Sequence, residues 1–501
     1  MNKYLTYKTL IILIHILFIK CGSNSNEVFE KRNIIFILTD DQTSKTINSL
    51  GNKSIFTPNI DRLVKKGTSF TNAYIMGSMN GAVCAPSRAM IITGKSLFNI
   101  DPTGNTIDEK ILTLPEFLEK RGYHTFHIGK WHNGKKAFSK IFKDGSNIFF
   151  GGMDNQYFVP THEYNLNGIY NDNNLNELSP KHSSTLYTDA AIEFIKNYKK
   201  NEPFYLNLSF QAPHDPREMP DSYLKVYNPD SIKLPKNFKE KHPFDNGELD
   251  IRDEWLATYP RNQEEIKANI AAYYAMISHM DYEIGRLLDT LEEKNIFKNT
   301  YIVFAGDNGL AVGQHGLMGK QNLYEHSINV PLIFTGPNIE NSIKKDLVYL
   351  FDVFPTIVEL LNFKKPDNLD GLSLKDLLLG KEKKIRNSLF FSYKNFQRAA
   401  RDERWKIIKY NVNNKIETQI FDLINDPFEI KNLYHKKSYD SVSKKMHHLL
   451  KDNMEKFNDK AILNKKNWGV KPIKAWKDKL PKEVVDRLRK MASKEREMRG
   501  F

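Results

Sequence analysis

Cysteine is almost absent from this chain: Cys21 and Cys84 are the only two among 501 residues. A disulfide framework is thereby excluded as a source of stability. Long apolar runs are missing beyond the first twenty residues, which excludes a multi-span helical membrane protein. Gly (26) and Pro (21) stay near average usage, so collagen-like and low-complexity readings fail. No internal repeat is visible. What is present is 40% hydrophobic and 27% charged residues, too apolar for a disordered chain and ample for a large core. The net charge of +14 is unevenly spread. Over residues 435–501, 20 Lys and Arg face 9 Asp and Glu, a net of +11. A basic segment of this kind can meet nucleic acid, an anionic membrane or an anionic polymer, or can simply be a solvated face.

The N-terminus has the layout of a targeting segment. Lys3 and Lys8 precede an almost unbroken apolar run over residues 9–19. The run is short for a bilayer span and has the charged start of a secretory signal, so export is expected. Cys21 follows directly, and its position resembles the lipidated cysteine of a bacterial lipoprotein signal. Lys20 and Phe18 depart from the small and leucine residues usual there. Residues 1–21 are thus expected to be a signal peptide, with a lipid on Cys21 as a membrane tether. The expected location is the periplasm, the outer membrane or the cell surface.

Short β-rich apolar runs over residues 33–39, 124–128, 204–210, 300–305 and 330–335 read as strands. Residues 58–66, 114–121 and 266–293 show helical spacing. Strands alternating with helices predict an α/β fold with a mostly parallel central sheet flanked by helices. Runs at 388–393, 405–410 and 419–423, followed by a helix over 439–457, predict a smaller C-terminal α+β subdomain with antiparallel strands. The expected division is a catalytic domain over 31–365, the subdomain over 366–460 and a poorly patterned basic tail over 461–501.

Two segments carry acids at strand ends. Asp40 and Asp41 follow the first strand, and Gly306-Asp307-Asn308-Gly309 follows another. Each alone usually reads as a turn. At the carboxyl edge of one sheet, where α/β folds place ligands, three carboxylates and an amide oxygen need a cation. An oxygen-only set favours calcium or magnesium over zinc. Cys84 lies in Cys84-Ala85-Pro86-Ser87-Arg88, with Thr93-Gly94 beyond it. A lone cysteine is most often a small core residue. Arg88, one helical turn on, is placed to stabilise an anionic group at position 84.

That pattern resembles the modification signal of the formylglycine-dependent sulfatases, within the alkaline phosphatase superfamily. Further elements follow in the family's order. The Gly129-Lys130-Trp131-His132 segment, Ala212-Pro213-His214-Asp215, Gly319-Lys320, Val330-Pro331 and the stretch from Phe421 to Glu429 are all similar to it. The resemblance covers roughly residues 33–435. Asn329 stands where family members often carry arginine.

The resemblance implies an alkaline phosphatase-like fold and an O-sulfate ester hydrolase. It implies one calcium per chain held by Asp40, Asp41, Asp307, Asn308 and the residue formed from Cys84. Cys84 would be converted to formylglycine by a maturation enzyme, and a hydroxyl of its hydrate would attack sulfur. Arg88 and Lys130 would fix the nucleophile, and His132 would take the proton that lets sulfate leave. Lys320 and His214 would contact the sulfate and protonate the leaving oxygen. His315 and Arg217 are candidates for reading the sugar. The expected substrate is a sulfated polysaccharide or oligosaccharide, with algal ulvan, fucoidan or carrageenan favoured over glycosaminoglycan, and with no nucleic acid partner. Three rivals stand beside this reading: a phosphatase or phosphonate hydrolase of the same superfamily, a noncatalytic glycan-binding homologue, and a thiol hydrolase using Cys84.

Overall fold

The run Asn33–Thr39 is β-branched and aromatic, and nearly every residue in it is buried. Such a strand must lie inside a sheet covered on both faces. In the computed structural model, which describes residues 31–469 and 481–501, it lies near the middle of an eight-stranded sheet. The expected signal peptide and Cys21 fall outside the described residues.

The spatial order is Ser342–Lys344, Gly67–Phe70, Leu332–Thr335, Thr300–Gly306, Asn33–Thr39, Phe204–Ser209, His124–Lys130 and Asp144–Phe149. Only Leu332–Thr335 runs antiparallel to its neighbours. Alternation along the first strand divides the interior. Ile34, Phe36 and Leu38 join a core with Met90 and Ile91, whereas Ile35 and Ile37 join one with Ile270, Ile277 and Ile284 of the Gln263–Glu293 helix.

Local chemistry explains the helix ends. The Gln263–Glu293 helix starts where the Asn262 side chain accepts the N–H groups of Glu264 and Glu265, at 2.8 and 3.0 Å. Leu114–Glu119 begins with a Thr113/Glu116 capping box and a proline. At Pro58–Lys66 the cap comes from elsewhere: Asp281 accepts the Ile60 N–H at 2.7 Å. Cys84–Thr93 is buried along its whole length, and Gly94 closes it in the left-handed region, at φ 63°.

The C-terminal strands Leu389–Tyr393, Gln397–Arg401, Trp405–Val412 and Lys415–Asp422 form an antiparallel meander. A fifth member, Gly77–Ser78, comes from just upstream of Cys84 and pairs in parallel with Leu389–Tyr393. A Cβ on Gly77 would overlap the Ser392 carbonyl, so glycine permits this join. Residues 31–501 form one compact unit. The boundary expected near residue 366 therefore separates a sheet but not an independent body. The tail expected to be unpatterned contains a helix, Lys482–Glu497, docked through Ala492 and Glu495. No helix among the described residues is long and apolar enough to cross a membrane.

Candidate active site

Register alone brings the two acidic segments together. The strands Asn33–Thr39 and Thr300–Gly306 pair in parallel with Thr39 opposite Gly306. The next residues, Asp40-Asp41 and Asp307-Asn308, therefore leave the same sheet edge side by side. Asp41 turns at φ 66°, its N–H donates to Asp307 Oδ1 at 3.1 Å, and Asn308 Nδ2 donates to Asp41 Oδ1 at 2.7 Å. Asp40 Oδ1 and Asn308 Oδ1 are buried with no hydrogen-bond partner. Ligand atoms of Asp40, Cys84 and Asp307 lie within 4.8 Å of one another, as do those of Asp40, Asp41 and His214. Buried acceptors left without donors in an oxygen-rich cluster fit a hard divalent cation.

Cys84 opens its helix against this cluster and is 1% exposed. The helix turns Ser87 and Arg88 onto the same acids. Ser87 Oγ donates to the Asp307 carbonyl at 2.5 Å, and Arg88 Nε donates to Asp307 Oδ2 at 2.7 Å. Arg88 Nη1 also donates to the Lys130 carbonyl at 2.7 Å, tying the helix to the end of the His124–Lys130 strand. Lys130 Nζ contacts Asp40 and the Gly152 carbonyl and lies 4.0 Å from Cys84 Sγ. His132 Nδ1 lies 3.2 Å from the same sulfur. Lys130 and His132 reach Cys84 together because the strand ends at Lys130 and His132 turns at φ 69°. Simple alternation along an extended segment is not the reason.

Lys320 Nζ donates to both oxygens of Asp41, at 2.6 and 2.9 Å. His214 Nε2 is 3.7 Å from Asp41 Oδ2, and its Nδ1 is held 2.7 Å from the Asp215 carbonyl. Charge and burial set the proton states. Burial, with Lys130, Arg88, Lys320 and His214 nearby, holds His132 well below the ordinary imidazole range, so it is neutral. Burial and Lys320 likewise lower His214. Burial works against the Lys320 ammonium, but Asp41 and its neighbours outweigh it and push the group well up. Burial pushes the Cys84 thiol up to about 11, so the unmodified side chain is protonated and a poor nucleophile at neutral pH.

Cys84, His132, His214 and Lys320 line a pocket of about 310 Å³. Residues not anticipated from sequence also line it. Arg252 and Asp253 come from the Arg252–Leu256 turn, Lys394 from the C-terminal sheet region and Leu488 from the terminal helix. No periodicity or motif marks them; only the adjacent Arg-Asp-Glu run at 252–254 carried a signal. Arg252 is paired with Asp215 beside His214.

Both expected sugar readers are buried away from the pocket, which corrects those assignments. His315 stacks on Tyr324 at 3.9 Å, places Nε2 3.0 Å from the Glu429 carbonyl and is pushed down to about 3 by burial. It is a neutral packing residue. Arg217 is fully buried, donates to Asn269 at 2.9 Å and pairs with Glu495 at 3.2 Å. It anchors the terminal helix. Asn329, at the position where arginine is frequent in the resembled family, donates to the carbonyls of Thr71 and Ala73 at 3.1 and 3.0 Å.

A family model described as Sulfatase matches residues 32–363, and one described as N-sulphoglucosamine sulphohydrolase, C-terminal, matches residues 313–456. A sulfatase of Formosa agariphila is 30% identical over 83% of this chain and 87% of its own. A second protein of that organism, an ulvan-active sulfatase, is 27% identical over 86% of this chain and 82% of its own. The N-acetylglucosamine-6-O-sulfatase of Bacteroides thetaiotaomicron is 26% identical over 88% of this chain and 89% of its own. A protein solved with its substrate D-glucosamine-2-N,6-O-disulfate shares the fold, with a TM-score of 0.74 at 24% identity over 88% of this chain and all of that one. The chain belongs to the sulfatase family and is a sulfuric ester hydrolase. Sulfatases generally use formylglycine and a divalent metal.

Proposed function

We propose that this sulfatase removes O-sulfate from a sulfated polysaccharide or oligosaccharide outside the cytoplasm. The observation that carries the reading is the gathering around Cys84 of Arg88, Lys130, His132 and a set of three acids and one amide in which Asp40 Oδ1 and Asn308 Oδ1 lack donors. Relatives named for ulvan and for N-acetylglucosamine sulfate support a sugar as the group bearing the ester. Export and a tether at Cys21 would suit scavenging of either kind of polymer; algal material is kept as the favoured source, in line with the ulvan-active relative.

Asp40, Asp41, Asp307 and Asn308 would hold one calcium, with residue 84 completing the set; the ion would neutralise the acids and polarise oxygen atoms bound to it. Cys84, converted to formylglycine by a maturation enzyme and hydrated, would supply one hydroxyl to attack sulfur and a second through which sulfate is expelled. The chain's own groups then divide the work. Arg88 fixes Asp307 and the backbone at Lys130. Lys130 and Lys320 bring positive charge to the sulfate. Neutral His132 faces residue 84 through Nδ1 and accepts its proton. Lys320, protonated, supplies the proton for the leaving oxygen beside His214.

The raised Cys84 thiol counts against the thiol-hydrolase rival. The test is Cys84→Ser, made in a host able to convert the wild type, with the mass of the residue-84 peptide recorded for both. Loss of nearly all turnover with the fold intact, and a wild-type peptide carrying the aldehyde mass, are expected. Full activity in the variant would sink the formylglycine mechanism. Preference for phosphate or phosphonate esters over sulfate esters would favour the phosphatase rival.

A further inference from the structure

The terminal helix Lys482–Glu497 lies beyond both matched family segments, yet it reaches the active-site mouth. Leu488 lines the catalytic pocket, and with Met153 it also lines a second cleft of about 370 Å³ that continues from it. Arg487, Lys490 and Lys494 border that cleft. Spaced at i, i+3 and i+7, they form one stripe roughly 10 Å long, about the reach of two sugar rings.

The helix is held in a defined position, so the stripe is as well. Glu495 is buried between Arg217, at 3.2 Å, and Arg499, at 3.1 Å. Arg499 also donates to the Arg217 carbonyl at 2.9 Å. Arg496 pairs with Glu265 at 2.8 Å, and Arg489 sits 4.9 Å over the Trp255 ring. The basic residues over 487–499 therefore fall into two sets. Arg489, Arg496 and Arg499 are spent on docking. Arg487, Lys490 and Lys494 stand exposed along the cleft. Among the described residues lining the cleft Asp154 is the one acid, and burial pushes its carboxyl up, against the pull of Arg487; Glu218 stands near Lys494 from outside the lining. Three cations against one carboxylate in its lining leave the cleft net positive.

We propose that this stripe is a second anion-binding subsite, which takes a carboxylate or sulfate on the sugar next to the one whose sulfate is cleaved. Leu488 and Met153 form the apolar wall between the two positions, suited to a sugar face. The inference rests on the carbohydrate reading above. It moves the role once expected of Arg217 from that buried residue to the helix that Arg217 anchors.

The test is the full-length enzyme carrying Arg487→Ser, Lys490→Ser and Lys494→Ser together, compared with wild type. The probes are uronate-bearing sulfated oligosaccharides of ulvan and of heparan sulfate, the same samples after reduction of carboxyls to alcohols, and a chromogenic aryl sulfate. Wild type should favour at least one uronate-bearing sample over its reduced counterpart, and the variant should lose that preference about tenfold, as removal of several exposed charge contacts predicts. The preference should also weaken with added salt in wild type and be flat in the variant. An unchanged preference in the variant overturns the subsite while leaving sugar sulfate as the substrate. Brisk wild-type hydrolysis of aryl sulfate with no oligosaccharide turnover overturns the carbohydrate reading, and the subsite with it.

Discussion

Asp307 has two duties, and they can be separated by measurement. Its carboxylate accepts from Arg88 Nε and from the Asp41 N–H, and its place at the sheet edge makes it a proposed calcium ligand. Asp307→Ala leaves the Arg88 guanidinium buried at 4% exposure without its counter-charge. Removal of one partner from such a pair costs about 3–5 kcal/mol. We expect calorimetry to show a clear fall in Tm even in chelator, and elemental analysis to show lost calcium. An unchanged Tm in chelator would mean that Arg88 is held by its Lys130 contact instead. His132 makes a second expectation at this scale. A depressed imidazole keeps its base form as pH falls past 6.5, so the acid limb of kcat/KM should lie well below that value. A limb centred near the ordinary imidazole value would contradict the geometry around His132.

At the scale of elements, the Cys84 helix depends on a loop that follows it. Gly104 sits at φ 68° against the first helical turn, where a Cβ would overlap the backbone of Ala85 and Pro86. Asn133 stitches the two together by donating to the carbonyls of Ala85 and Gly104, both at 2.7 Å. Gly104→Ala must both strain the backbone and push the helix start away. A loss of about 1–3 kcal/mol is expected, with activity falling further than stability because residue 84 moves. Denaturant unfolding beside turnover would check it. The terminal helix gives a contrasting case. Glu495→Gln leaves Arg217 and Arg499 without a counter-charge, so residues 481–501 should become accessible to protease while the rest of the chain stays protected. For Arg217→Ala the same loosening of residues 481–501 is expected, with oligosaccharide turnover falling further than aryl sulfate turnover because the helix it anchors carries the proposed subsite; a selective oligosaccharide loss with the helix still protected would restore Arg217 as a sugar reader.

Taken as a whole, the molecule couples its two larger sheets through the segment that precedes residue 84. Gly77–Ser78 completes the C-terminal sheet, and Cys84 begins its helix six residues later. Binding of a cation at the acid cluster should therefore stabilise the entire compact unit. Calcium at a hundredfold over its Kd adds about 2.7 kcal/mol, so chelation should lower a single cooperative Tm and calcium should restore it. Two separated transitions, only one responding to calcium, would show that the sheets unfold independently.

What the amino-acid sequence determined was local. The apolar runs at 33–39 and 300–305 made strands, and the acids just after them had to emerge at strand ends. Cys84, Ser87 and Arg88 are one helical turn apart, so their shared face followed from spacing. The fates of Arg217 and His315 were decided only in the tertiary structure. Each lies close in sequence to a residue of the site, His214 and Lys320, yet the chain turns their side chains inward, onto Glu495 and Tyr324. Arg252, Lys394 and Leu488 enter the pocket from segments far apart in the chain. Contacts of that kind are chosen by which surfaces meet after the sheet has formed. No periodicity records them, because an arginine destined for burial against a distant glutamate looks, along the chain, like any exposed one.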